Sequence, residues 1–148
     1  MMIAEPVSED AAHTGQSRRS ARRQAVILLY QRDVTELALP ELIANVERGG
    51  TVVSAFTRSL LEGVDAHRDE LDGLIGGAAI GWTVDRLAPL ERNILRVAAL
   101  ELRHSDDIPD AVAIDEAVRL AKRYCQPEAA SLVNGILGRL TEEEATRA

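Results

Sequence analysis

The sequence predicts an all-α protein, a single compact bundle of about seven helices. Two observations carry that expectation. Aromatic residues make up only 3% of the 148 residues, so the core must be built from Leu, Val, Ile and Ala, and Ala and Leu favour helix. Apolar residues then recur at spacings of three and four from residue 17 onward, while no stretch of useful length alternates with period two. The length suits one core, and neither an internal repeat nor a dividing linker interrupts it.

The elements follow in order. Residues 1–16, MMIAEPVSEDAAHTGQ, read as a short disordered acidic tail carrying Glu5, Glu9 and Asp10. They lack the basic and apolar regions of a secretory signal. The helical domain is expected over 17–141, with 142–148 a flexible C-terminal end. In SRRSARRQAVILLYQRD, Ser17 is the expected N-cap. Ala21, Ala25 and Leu28 make an apolar face that Val26 and Leu29 widen, and Arg22, Val26 and Tyr30 adjoin it. A second helix opens near Pro40, buries Leu42, Ile43 and Val46, and stops at Gly49–Gly50. A third segment runs from about Thr51 to Gly77 with Val52, Phe56, Leu60, Val64, Leu71, Leu74 and Ile75 inward. Gly63 marks either a break or a close helix contact within it.

GWTVDRL, residues 81–87, predicts a turn and a short helix with Thr83 as a cap. APLERNILRVAALELRHS is apolar around most of its circumference, which predicts a central helix. In DDIPDAVAIDEAVRLAKRYC, Pro109 precedes the helix, Asp115 and Glu116 come early, and Lys122 and Arg123 come late, in accord with the helix dipole. Pro127 opens the last helix, with Leu132, Val133, Ile136, Leu137 and Leu140 inward. Its Gly135 and Gly138 suggest a close backbone approach, since glycine within a helix costs up to about 1 kcal/mol relative to alanine.

Chemistry is sparse. The histidines, His13, His67 and His104, lie far apart in sequence and fit no metal-ligand spacing, and no phosphate-binding glycine loop is present. Cys125 is the sole cysteine, which excludes an internal disulfide and fits a reducing compartment. No residue supplies it with a base. No catalytic residues, metal or cofactor are therefore expected, and no run approaches a membrane span. A cytoplasmic, non-enzymatic protein is the expectation.

Charge is the informative feature. Formal net charge is −7, yet residues 17–23 hold four arginines and no acid, so the remainder carries −11. At a helix start these cations oppose the helix dipole, and Arg18/Arg22 and Arg19/Arg23 repel at i,i+4 spacing. An incoming anion would relieve both penalties. Backbone N–H groups at a helix start bind phosphate, and guanidinium adds a planar fork for phosphate and a face for unpaired bases. The bland alternative is a solvated basic helix end paired with acids of the tail or of another helix. Lys122, Arg123 and Tyr124 form a second basic–aromatic cluster, able to hold phosphate and stack a base, or else ordinary helix-end charge.

Four stretches, RRSARRQAVILLYQ, LERNILRVAALEL, IPDAVAIDEAVRLAKRY and LVNGILGRL, resemble the NusB family of transcription antitermination factors, in the family's order from about residue 17 to residue 140. The resemblance implies two packed helical subdomains. It also implies binding to boxA-type single-stranded RNA with NusE, a small-ribosomal-subunit protein, in the antitermination complex of RNA polymerase, serving transcription of ribosomal RNA operons. Some members form homodimers, and by resemblance such a dimer could cover the arginine patch until RNA or NusE arrives. By motif, Arg18, Arg19 and Arg22 match the RNA-binding start and Arg23 extends it. Tyr30, Glu91 and Arg96 match positions at the NusE surface. Tyr124 matches an aromatic near the RNA, and Glu128 and Asn134 fall in the next RNA-proximal region.

Gln24, Asp115 and Leu132 depart from residues common in relatives. Asparagine is frequent where Asp115 stands, and an aromatic where Leu132 stands. The same fold fronts some ribosomal RNA methyltransferases, but nothing in residues 1–148 supplies a methyl-donor site. The other function class is a helical protein-interaction module with little RNA affinity of its own. Steep salt dependence marks the RNA binder.

Overall fold

The computed structural model describes residues 14–81 and 84–147; most of the expected tail and the expected cap Thr83 lie outside them. Seven α-helices are present among the described residues: α1 (Thr14–Thr35), α2 (Leu39–Arg48), α3 (Ala55–Ala66), α4 (Arg68–Ala78), α5 (Pro89–His104), α6 (Asp110–Tyr124) and α7 (Pro127–Arg147). A single 3-10 turn, Val84–Arg86, precedes α5, and no strand occurs among these residues. None of the helices is long and apolar enough to cross a membrane.

The centre of the fold is α5, as its all-round apolar sequence predicts. Every residue from Asn93 to Glu101 is buried, and the helix packs against α1, α3, α4, α6 and α7. The N-terminal helices α1–α3 lie on one side of it and α4, α6 and α7 on the other. Leu28, Leu29, Leu61, Leu71, Ile75, Ile94, Leu95, Ile136 and Leu137 are almost completely enclosed. Each such side chain contributes about 1.5–3 kcal/mol through burial.

Local chemistry explains most boundaries, and the structure corrects several expectations. Helix α1 begins at Thr14, so Ser17 lies inside it and is not its cap. It ends where Glu36 turns left-handed (φ 64°) and donates its N–H to the Arg32 carbonyl at 2.8 Å. Pro40 sits in the first turn of α2, and Gly50 takes φ 94°, a conformation that suits glycine. The segment expected from Thr51 to Gly77 is two helices. Ser54 caps α3 by accepting from the Thr57 N–H at 3.1 Å, which leaves Val52 outside the helix and exposed. The break falls at His67, not at Gly63. Gly63 is instead the point of close approach, since a Cβ there would stand 2.8 Å from Leu100 Cδ2.

Gly135 and Gly138 are not points of close approach. Nothing lies within 4 Å of a Cβ at Gly138, and only the Arg139 guanidinium approaches one at Gly135. Helix α7 stays helical through 142–147.

Candidate RNA-binding site

Two antiparallel alignments organise the molecule's ends. Arg22 of α1 pairs with Glu101 near the end of α5, while Asp33 of α1 pairs with Arg92 and Arg96 near its start. Helix α6 then returns along α5 and brings its first half back towards the arginines. Arg18 reaches Asp107, in the loop before α6, at 3.4 Å. Arg19 donates from Nε and Nη2 to the Glu116 carboxylate at 3.0–3.2 Å. Between them opens a cleft of about 910 Å³ lined by Arg18, Arg19, Arg22 and Arg23 on one wall and residues 107–116 of the loop and α6 on the other.

The four arginines are not equivalent. Arg22 is only 5% exposed and donates from Nε to both Glu101 oxygens at 3.0 Å. It is a buried structural cation, not an open phosphate ligand. Burial pushes the Glu101 carboxyl above its ordinary range, and the Arg22 charge and hydrogen bonds only partly offset this. The Arg19 side chain is 54% exposed. The bonds to Glu116 leave its Nη1 edge outside, and guanidinium carries five N–H donors. Arg23 lines the cleft and has no ion-pair partner among the described residues. Because α1 starts at Thr14, the arginines stand a turn inside it. The helix dipole falls off within that turn, and the backbone N–H groups there are already bonded, so any anion here meets side chains.

Phe56, the sole phenylalanine, lies beneath this cluster. Arg18 stands 4.8 Å and Arg22 5.6 Å from its ring centroid, within cation–π range. Gln24 and Thr57 tie the two helices together: the Thr57 hydroxyl donates to Gln24 Oε1 at 3.0 Å, and Gln24 Nε2 donates to the Val52 carbonyl at 3.2 Å.

Lys122, Arg123 and Tyr124 are exposed at the far end of α6, about 12 Å along its axis from Glu116 at 1.5 Å per residue. The structure therefore does not set them beside the arginines. Arg123 lies over the Tyr124 ring at 5.3 Å. Glu91 is near this end, since its charge bears on Cys125. Burial first and Glu91 second push that thiol up to about 11, which leaves it protonated and inert at neutral pH. Glu128 and Asn134 are exposed on α7. Val112, Asp115, Arg119 and Lys122 form an exposed stripe at helical spacing that joins the two basic clusters.

Of the expected partner-surface residues, Tyr30 is exposed and Glu91 half-buried. Arg96 is corrected: it is only 2% exposed. It donates to Asp72 of α4 at 2.8 and 2.9 Å, to Asp33 of α1 at 3.3 Å and to Asn93 at 3.1 Å. Its whole donor set faces inward, so it ties three helices together rather than meeting a partner.

Sequence reading missed the acids Glu101, Asp107 and Glu116, together with Phe56 and Arg119. Glu101 had a signal, since an acid within the apolar run LRVAALEL must be paired or neutralised. The others had none, because their partners are distant in sequence.

The profile of the NusB family matches residues 19–142. The chain belongs to the NusB family. It is 44% identical over 130 residues to the transcription antitermination protein NusB of Thermobifida fusca, covering 86% of this chain and 91% of that one. It is 41% identical over 123 residues to that of Bacillus velezensis, covering 83% and 94%. Among solved structures, T. maritima NusB superposes with a TM-score of 0.77 at 32% identity, covering 85% of this chain and 91% of that one. A complex of the antitermination factors NusB and NusE with dsRNA matches with a TM-score of 0.77 at 26% identity, covering 86% and 98%. NusB proteins are antitermination factors, not enzymes.

Proposed function

We propose that this NusB-family protein binds boxA-type single-stranded RNA together with NusE and supports antitermination on ribosomal RNA operons in the cytoplasm. The carrying observation is the open arginine cleft. Acids hold the inner edges of Arg18 and Arg19, which removes part of the ordering cost, while the outer guanidinium edges remain available to phosphate. Arg23 adds a cation on the same wall. From there a strand can follow the exposed stripe of α6 past Arg119 to Lys122, Arg123 and Tyr124, where the ring can stack a base. The solved NusB–NusE–RNA complex supports the partner assignment. The family resemblance adds Glu128 and Asn134, both exposed on α7, to the RNA side of this proposal and Tyr30 and Glu91 to the NusE side.

One observation favours the second reading, a protein-interaction module. Asp107, Asp115 and Glu116 line the same cleft as the arginines and offset much of their charge. The test is binding of a boxA-type RNA, with and without NusE, by the wild type and by Arg18→Ala/Arg19→Ala across a salt series. Arg22 is left intact because it supports the fold. Salt-sensitive binding that NusE strengthens and the variant weakens is the expected result. Equal binding by a folded variant overturns the arginine site, and no binding with NusE present favours the interaction module.

A further inference from the structure

We infer that His67, Glu70 and His104 form a binding site for a divalent transition-metal ion, zinc(II) in the first instance, where the α3–α4 joint meets the end of α5. The three residues come from separate elements: His67 is the single residue between α3 and α4, Glu70 lies in the first turn of α4, and His104 closes α5. Folding brings one ligand atom of each within 4.8 Å of the others. His104 Nε2 lies 2.9 Å and His67 Nδ1 3.4 Å from the same Glu70 oxygen. Ligand atoms around a tetrahedral zinc with bonds of about 2.0–2.1 Å stand roughly 3.3 Å apart, so both histidine–Glu70 separations are close to that spacing, and the two imidazoles supply the remaining adjustment.

The donor set suits the ion. Two imidazoles and a carboxylate favour zinc and its first-row neighbours over magnesium or calcium, which take oxygen ligands. A cleft of about 380 Å³ is lined by residues 65–70, His67 and Glu70 among them, so water can reach these two ligands. The imidazole rings stack with centroids 3.9 Å apart and planes 19° from parallel, and two near-parallel rings cannot both aim a lone pair at one point. Ion binding must therefore turn them. Their side chains are 39% and 32% exposed, so solvent and not packed core adjoins them, and the cost of a modest rotation is about 1 kcal/mol. A bound ion would cross-link the α3–α4 joint to the end of α5. This site is independent of the arginine cleft and of the RNA reading.

The decisive experiment uses the untagged full chain, freed of metal with chelator and titrated with zinc(II) by calorimetry and with cobalt(II) by visible absorption. One equivalent is expected to bind, with cobalt d–d bands of a four-coordinate site and a rise in Tm. His104→Ala and Glu70→Gln should each weaken binding by at least about tenfold, in the range seen when a metal site loses a supporting group, with helical circular dichroism unchanged. His13→Ala should leave binding intact. Absence of binding, or equal affinity in His104→Ala and the wild type, overturns the site and leaves a simple histidine–glutamate hydrogen-bonded cluster.

Discussion

Helix α1 carries arginine–carboxylate chemistry at both of its ends, and the two ends use it differently. Near its C-terminal end, Asp33 meets Arg92, Arg96 and Asn93, and Arg96 reaches on to Asp72. Burial turns those donors inward: Arg96 spends Nε, Nη1 and Nη2 on protein acceptors, and Arg92 Nε is buried without a partner. Near its N-terminal end, Arg18 and Arg19 touch Asp107 and Glu116 while keeping outer edges in solvent. Arg22, between the two regimes, belongs with the buried set. The same residue type therefore serves structure or recognition according to how many of its N–H donors burial consumes.

Breaking the interior set should have the largest effect. Arg96→Ala leaves Asp33 and Asp72 without their shared cation, and loss of about 3–5 kcal/mol of stability is expected, as for other broken buried pairs. Urea denaturation checks it. An unchanged midpoint would mean that Arg96 is effectively solvated.

Arg22→Ala is expected to cost about 3 kcal/mol for the same reason, because it strands Glu101. The double variant Arg22→Met/Glu101→Leu should recover most of that loss, since an apolar pair can replace a buried ionic one. A double variant as unstable as the single would show that the pair itself, rather than its unpaired remnant, sets the cost.

At the open end the order reverses. Arg18→Ala/Arg19→Ala should cost about 1–2 kcal/mol, less than Arg22→Ala, because both arginines are partly exposed and Arg119 Nε still stands 3.8 Å from the buried Glu116 carboxylate. It should also flatten the salt dependence of RNA binding by about 0.7 for each phosphate no longer neutralised. A stability loss equal to that of Arg22→Ala would erase the distinction between the ends.

Acid titration separates the two regions differently. Burial alone pushes the Asp33 carboxyl up, but the Asn93 hydrogen bond and the charges of Arg96 and Arg92 outweigh it and hold it below its ordinary range. Its contribution to stability is present above the unfolded aspartate value and is lost as pH falls through the lowered folded value. Glu101 is raised by burial, so the folded chain binds its proton more tightly and stability declines as pH climbs through that raised value. Urea midpoints against pH should show Asp33→Asn blunting the acid limb and Glu101→Gln removing the decline at higher pH. Identical profiles for wild type and variants would refute both assignments.

The smallest effect belongs to Asp115, the acid in the exposed stripe of α6. Asp115→Asn removes one charge facing the proposed RNA path and should tighten binding by about 0.2–1 kcal/mol at low salt, fading as salt rises. Filter binding at two salt concentrations resolves it; weaker binding by the variant would place the strand elsewhere.

Local pattern made much of this legible. Helical spacing placed α1, α2, α5, α6 and α7, because a helix facing a core must repeat its apolar residues every three or four positions. It failed where a boundary depended on one polar interaction, as with the Ser54 cap, and at the break at His67. It also failed at Gly138, where a glycine expected against a neighbouring backbone faces open space.

Sequence alone determined the fold class, the central place of α5 and the existence of a concentrated basic segment. All of these follow from composition and from neighbours within a turn or two. Tertiary structure decided which arginines remain open, that Arg96 ties helices together instead of facing a partner, and that His67 and His104 share one carboxylate. The physical reason is common to all three. A charged side chain's role depends on its partner and its exposure, and in each case at least one decisive partner lies on another element, tens of residues away along the chain.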